Sequence, residues 1–227
     1  MDARARRRWC DLAYLVAAGV TVVAGGRHDR RTQLVAKPLL MPLLALGELS
    51  DADRRADRVD AGLLAVGLAA ATAGDVHMID VDDDAALRRG ASCFAVMQVC
   101  WWLRAHRTGA VPGAAQVVPR AVAWSIASTV TARRLPTPAP VLIGYGALLG
   151  GAGAAADAVG GRTALGGRLF TVSDTTVLIR RMLGAAGAAD PRSRTARLLE
   201  AFVLATYAGA QYLLVRPSLA DDAPVAP

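Results

Sequence analysis

Apolar residues in this chain gather into runs, and charged residues gather between the runs. Eight runs approach the length that crosses about 30 Å of hydrocarbon: 9–24, 34–49, 61–79, 90–103, 114–132, 140–158, 164–179 and 201–215. Several fall short of the roughly 20 residues of a spanning helix. Their ends therefore extend into Arg-bearing flanks, whose long side chains reach back to the interface. The segments between them read RHDRR, SDADRRADRVD, DVDDDAALRR, RAHRTG, RRLPTP, GGR and ADPRSR, and none is long enough for a soluble domain. The pattern predicts an all-α, polytopic transmembrane bundle of about eight spans, forming one integral-membrane domain over residues 1–227.

Composition agrees with that picture. Apolar residues make up 54% of the 227, aromatics only 5%, so Ala, Val and Leu carry the excess. A disordered chain, a disulfide framework and a collagen-like fibre are excluded. A net charge of +7 usually invites a nucleic-acid partner. Here the basic residues are almost all Arg, scattered in small groups between apolar runs, so the expected partner is the bilayer and not nucleic acid. Arg4, Arg6, Arg7 and Arg8 ahead of the first run imitate a secretory signal, but seven further spans favour a retained first helix. Loop arginines divide twelve against twelve between the two sides, so the positive-inside rule does not orient the chain. Abundant Ala, Arg and Gly point to a GC-rich bacterial genome, and hence to a bacterial cell membrane. Oligomeric state is not legible.

Gly and Pro follow membrane habits. GYGALLGGAGAAADAVGG (144–161) sets small residues at helical spacing, which lets helices approach closely in a bilayer. Pro38 and Pro42 lie four apart and predict a kinked second helix. Familiar soluble chemistry is missing. Cys10, Cys93 and Cys100 form no CxxC, and His28, His77 and His106 are too dispersed for a zinc site. Asp80, Asp82 and Asp84 imitate the start of a calcium loop, but Ala85 and Ala91 stand where Gly and Glu are required. No metal and no organic cofactor is expected.

What remains is a short set of polar residues within the spans, where burial is expensive enough to imply function. Lys37 opens the second helix, and Asp75 lies near the end of the third. Gln98 is central in the fourth, Arg120 early in the fifth and Asp157 late in the sixth. Asp174 lies in the seventh, and Tyr207 and Gln211 share a face of the eighth. Alternating direction brings Lys37, Asp75 and Asp174 toward one membrane surface, both carboxyls roughly 6–9 Å below it. One water-accessible pocket lined by all three is expected, with Tyr207 and Gln211 as its floor. Interfacial placement accounts for Arg120 and Asp157. The plainer alternatives are an Arg partner for Asp75, an Asp174–Arg181 ion pair and a snorkelling Lys37.

At these residues the chain resembles a known family. KPLLMPLLAL (37–46), Gly74–Asp75, GxxxF at Gly90–Phe94, LFTVSD (169–174) and TYAGAQYL (206–213) occur in this order. Together they resemble the YhhN-like lysoplasmalogenases, polytopic membrane hydrolases of the vinyl ether bond. Family members carry a His and then an aromatic, typically Tyr, on the fourth helix; Gln98 and Trp101 stand there in this chain. The helical face is kept, but its acid–base group is lost.

The resemblance implies hydrolysis of a lysolipid vinyl ether to a fatty aldehyde and a glycerophospho-head group. Such chemistry wants one protonated carboxyl as general acid and one carboxylate to stabilise the cation or activate water. Asp75 and Asp174 are the expected catalytic pair, without an assignment between them. Lys37, Tyr207, Gln211 and Gln98 are the expected substrate-binding residues, with Lys37 on the lipid phosphate; Ser173 is a weaker candidate because Ser in a membrane helix often bonds backbone. The alternative function is a relative that binds a lipid or moves a small solute without catalysis.

Overall fold

The computed structural model describes residues 3–50, 57–187, 190 and 193–216. The described residues form eight α-helices and one 3-10 turn: α1 (Ala3–Gly26), α2 (Arg30–Leu49), α3 (Arg58–His77), the turn Met78–Asp80, α4 (Asp84–Arg107), α5 (Ala114–Arg134), α6 (Ala139–Val159), α7 (Gly161–Ala185) and α8 (Arg194–Val215). Each expected span falls on one helix, and most helices outrun the apolar run at one or both ends. The exception is the third, where the chain tightens into the 3-10 turn at Met78, before the run is over. Among the described residues four stretches are long and apolar enough to cross a membrane by length and hydropathy alone: Ala5–Gly26, Arg58–Asp80, Ala139–Val159 and Arg194–Val215. The chain is an all-helical membrane protein; α2, α4, α5 and α7 are less apolar over a spanning length.

Helix starts are set by local chemistry. Asp29, Asp57, Asp83 and Ser193 are N-caps whose side-chain oxygens accept backbone N–H groups of the first turn. The Asp60 N–H, and after it the Arg107 guanidinium, hold the Asp57 carboxyl below the usual carboxylate range. Asp29 is lowered chiefly by the Thr32 hydroxyl, and Asp83 by the Ala86 N–H. Between α6 and α7 the chain reverses through Gly160 and Gly161, at φ 85° and 53°. That left-handed pair needs glycine, so GGR reads as a turn for a definite reason. Pro38 and Pro42 both lie inside α2, and each withholds the N–H that would bond the carbonyl four residues earlier.

Seven helices close into a ring in the order α1, α2, α3, α4, α6, α7, α8 and back to α1, while α5 stands outside, packed mainly on α6. The ring closes at the chain ends. Tyr14 donates to the Ala208 carbonyl at 2.7 Å. The buried Arg216 guanidinium reaches Asp11 and Glu48, and Arg7 lies 3.5 Å from the same Glu48 carboxylate. The core inside the ring includes Leu40, Met41, Leu44, Leu64, Leu68, Phe94, Met97 and Phe170.

Candidate active site

Asp75 is fully buried near the end of α3. Its Oδ1 lies 3.6 Å from Lys37 Nζ on α2. Its Oδ2 accepts a 2.9 Å bond from the Tyr207 hydroxyl on α8. Tyr207 in turn accepts from Gln211 Nε2 at 3.3 Å, and that amide also lies 3.0 Å from Met97 Sδ. The i, i+4 spacing of Tyr207 and Gln211 puts both on the inner face of α8, so one relay joins four helices. Lys37 is only 6% exposed, so it is embedded beside a carboxylate rather than lying along the surface.

Asp174 anchors a second group. It lies on α7, which continues to Ala185, eleven residues further, so the carboxyl lies about 16 Å from the helix end at 1.5 Å per residue. The Tyr145 hydroxyl on α6 donates to Asp174 Oδ2, and Gln98 on α4 interacts with that hydroxyl. Arg181 does not pair with Asp174; its Nη2 is 2.5 Å from Asp84 Oδ1 at the start of α4. The Lys37 charge acts on both Asp75 and Asp174. Ser173 donates to the Val203 carbonyl at 3.0 Å, tying α7 to α8.

A cavity of about 240 Å³ opens beside Asp174, walled by α4, α5, α6 and α7. Asp174, Tyr145, Phe94, Trp124, Arg120 and Arg181 are on its lining. Asp75 and Lys37 are not. Phe94 on the cavity wall packs edge-on against Tyr207 and Phe170, and its ring lies 3.1 Å from where a Gly74 Cβ would be. A Cβ on Gly90 would lie 2.8 Å from Met78 and 3.5 Å from the Gly74 carbonyl. The GD and GxxxF segments are thus two sides of one close helix crossing, which seats Phe94 between Asp75's neighbours and the cavity. Arg120 and Asp157, expected as separate interfacial residues, are partners: Arg120 Nη2 is 2.6 Å from Asp157 Oδ2, and Arg168 Nε is 2.9 Å from Oδ1.

A second cavity of about 300 Å³ lies toward the opposite end, with Trp101, Arg104 and Arg216 on its wall. It is larger but touches neither carboxyl. The acidic loop is structural: Asp80 pairs with Arg30, Asp83 caps α4 and Asp84 holds Arg181. Among the described residues no three His, Cys, Asp or Glu gather as a metal site.

Sequence reasoning missed Tyr145. It lies in the small-residue stretch taken for helix packing, and a lone phenol there was the available signal. It also missed the buried Glu48–Arg216 pair, because each residue closes a helix where a charge looks ordinary. No curated protein and no solved structure matches the chain. The sequence model of the YhhN family matches residues 32–218, covering every element from α2 onward. With that match over most of its length, the protein belongs to the YhhN family.

Proposed function

We propose that this protein is an integral-membrane hydrolase of lysolipid vinyl ether bonds, its single domain spanning residues 1–227 and its helices crossing the membrane about eight times. What chiefly supports the reading is the pair of buried carboxyls with different partners. Asp75 faces a cation, and Asp174 faces a phenol and an apolar cavity.

In this reading Asp174, protonated, gives its proton to the alkene carbon beyond the ether-bearing carbon. The π electrons form the new C–H bond, leaving an oxocarbenium ion on the ether side. Water adds to that ion, and its proton returns to the Asp174 carboxylate. The hemiacetal then breaks its C–O bond, its hydroxyl proton passing to the departing glycerol oxygen, to release aldehyde and glycerophospho-head group. Tyr145, its hydroxyl met by Gln98, holds the Asp174 carboxyl in place. Asp75 is the second carboxyl of this reading: paired with Lys37, with Tyr207 and Gln211 behind it and off the cavity wall, it acts on the charged intermediate through the protein and not by contact. Lys37, buried against Asp75, serves that carboxylate. The other face of the cavity is α5, outside the ring and next to lipid, so a single-chain substrate reaches Asp174 sideways from the bilayer.

A second reading is that the bundle binds a lipid or passes a small solute without cleaving it. Gln98 favours it, since this position carries no proton-transfer group. Aldehyde release by purified protein from vinyl-ether and ester lysolipids separates the two. The hydrolase reading expects aldehyde from the vinyl ether only, and its loss in Asp75→Asn and Asp174→Asn. Unchanged rates in both variants would remove the paired carboxyls from the mechanism, and saturable binding without aldehyde would establish the second reading.

A further inference from the structure

Arg181 has no part in the chemistry above, yet it stands on the wall of the same cavity. It is the last charged residue of α7 on the Asp174 face: seven residues, two turns, about 10 Å along the axis. Its partner Asp84 begins α4, and α4 and α7 are separated in the ring by α6. The Arg181–Asp84 pair ties the end of α7, on the cavity wall, to the start of α4. Only Nη2 meets Asp84, while Nε is buried without a hydrogen-bond partner among the described residues. Arg120, on the same cavity, differs in using two of its nitrogens: Nη1 bonds the Gln116 carbonyl and Nη2 bonds Asp157. Among the described residues Arg181 is thus the cavity guanidinium with a buried nitrogen left unbonded, two turns from the carboxyl that faces the cavity.

From this placement we propose that Arg181 is the anchor for the phosphate of a single-chain glycerophospholipid, exchanging Asp84 for the phosphate oxygens when substrate binds. This rests on the hydrolase reading and names the residue that meets its substrate's phosphate. Guanidinium suits the role because its fork matches two phosphate oxygens, and such charge-assisted bonds are the strong ones. The reach agrees. Seven bonds separate the alkene carbon that takes the proton from phosphorus, roughly 8 Å when extended at about 1.2 Å per bond. With the phosphate on Arg181, the alkene lies beside Asp174. Asp84 then acts as an internal competitor that keeps the guanidinium occupied while the cavity is empty.

The test is binding to purified protein in detergent, read with lipids that cannot be cleaved: a saturated alkyl-ether lysophospholipid and the alkylglycerol lacking the phosphate. Wild type is expected to prefer the phosphate-bearing lipid by about tenfold or more, and Arg181→Gln to lose that preference while binding the alkylglycerol as before. Arg181→Lys is expected to keep part of it. Asp84→Asn, with the competitor neutralised, is expected to bind the lysophospholipid several-fold more tightly. Inorganic phosphate alone is expected to leave lipid binding unchanged at millimolar concentration. An unaltered preference in Arg181→Gln, no preference in wild type, or weaker lysophospholipid binding in Asp84→Asn would overturn the assignment. Displacement by free phosphate as effective as by the lipid would overturn the lipid as ligand. Should Arg181→Gln fail to fold, the Asp84→Asn result decides. The hydrolase reading fails separately, through absence of aldehyde while the binding preference stands.

Discussion

Lys37 and Asp75 offer the sharpest perturbation, because neither is near water and each answers the other. At 3.6 Å and an effective dielectric of about 20, their attraction is about 4–5 kcal/mol. Removing one partner leaves the other charge buried and uncompensated, a loss of about 3–5 kcal/mol for such pairs. Lys37→Met and Asp75→Asn are therefore each expected to destabilise strongly, Lys37→Met the more, since Lys37 also acts on Asp174. The double variant removes both charges and keeps similar volumes, so most of the loss should return. For a chain of this size 1 kcal/mol shifts Tm by about 2–4 °C, so each single variant should melt about 6–20 °C lower. The assay is helix loss by circular dichroism on heating the detergent-solubilised protein. If the double variant melts as low as the two single losses added together, Lys37 and Asp75 are not coupled, and the counter-ion role fails.

Three further outcomes follow from particular contacts. Tyr207→Phe deletes the donor to Asp75 Oδ2 and should lower stability by about 1.5–3 kcal/mol, the range for hydrogen bonds to charged groups, in the same melt. Gly166→Ala places a Cβ 2.9 Å from Leu214 and 3.1 Å from the Ala210 carbonyl, so α7 must move off α8 at about 1–3 kcal/mol. Gly62→Ala, with nothing within 4 Å, should stabilise by about 0.5–1 kcal/mol, and equal effects at the two glycines would contradict this packing. The caps Asp29, Asp57 and Asp83 all have lowered carboxyls. Their contribution is therefore full above the unfolded value of about 3.9 and is lost as pH falls through the lower folded values. Tm measured from pH 2 to 6 should show this acid loss only below about pH 4, and Asn at all three positions should reduce it.

The fold was legible because hydrophobic runs, Asp caps and GG or Pro-rich breaks mark helix ends locally. The ring order was not, since nothing in a run of Ala and Leu says that α4 adjoins α6 and leaves α5 outside. At the site, Asp75, Asp174, Lys37, Tyr207 and Gln211 stood out because polar groups are expensive in a membrane. Their pairing was not legible. Asp174 had Arg181 seven residues on, a plausible partner by spacing, but the start of α4 brings Asp84 to Arg181 instead. Tyr145 was hidden by the small residues around it, and Glu48 and Arg216 by their positions at helix ends.

The contacts that close the ring join residues made far apart in time. Tyr14 meets Ala208, and Asp11 meets Arg216, across 194 and 205 residues of chain. At about 5–20 residues per second of synthesis, α1 waits about 10–40 s for α8. Throughout that interval the bundle is an open arc, with Asp11 facing a place that Arg216 has not yet taken. Closure is thus a late event in the life of the nascent chain. A ribosome halted anywhere before residue 216 holds an arc and not a ring, whatever the stability of the helices already made.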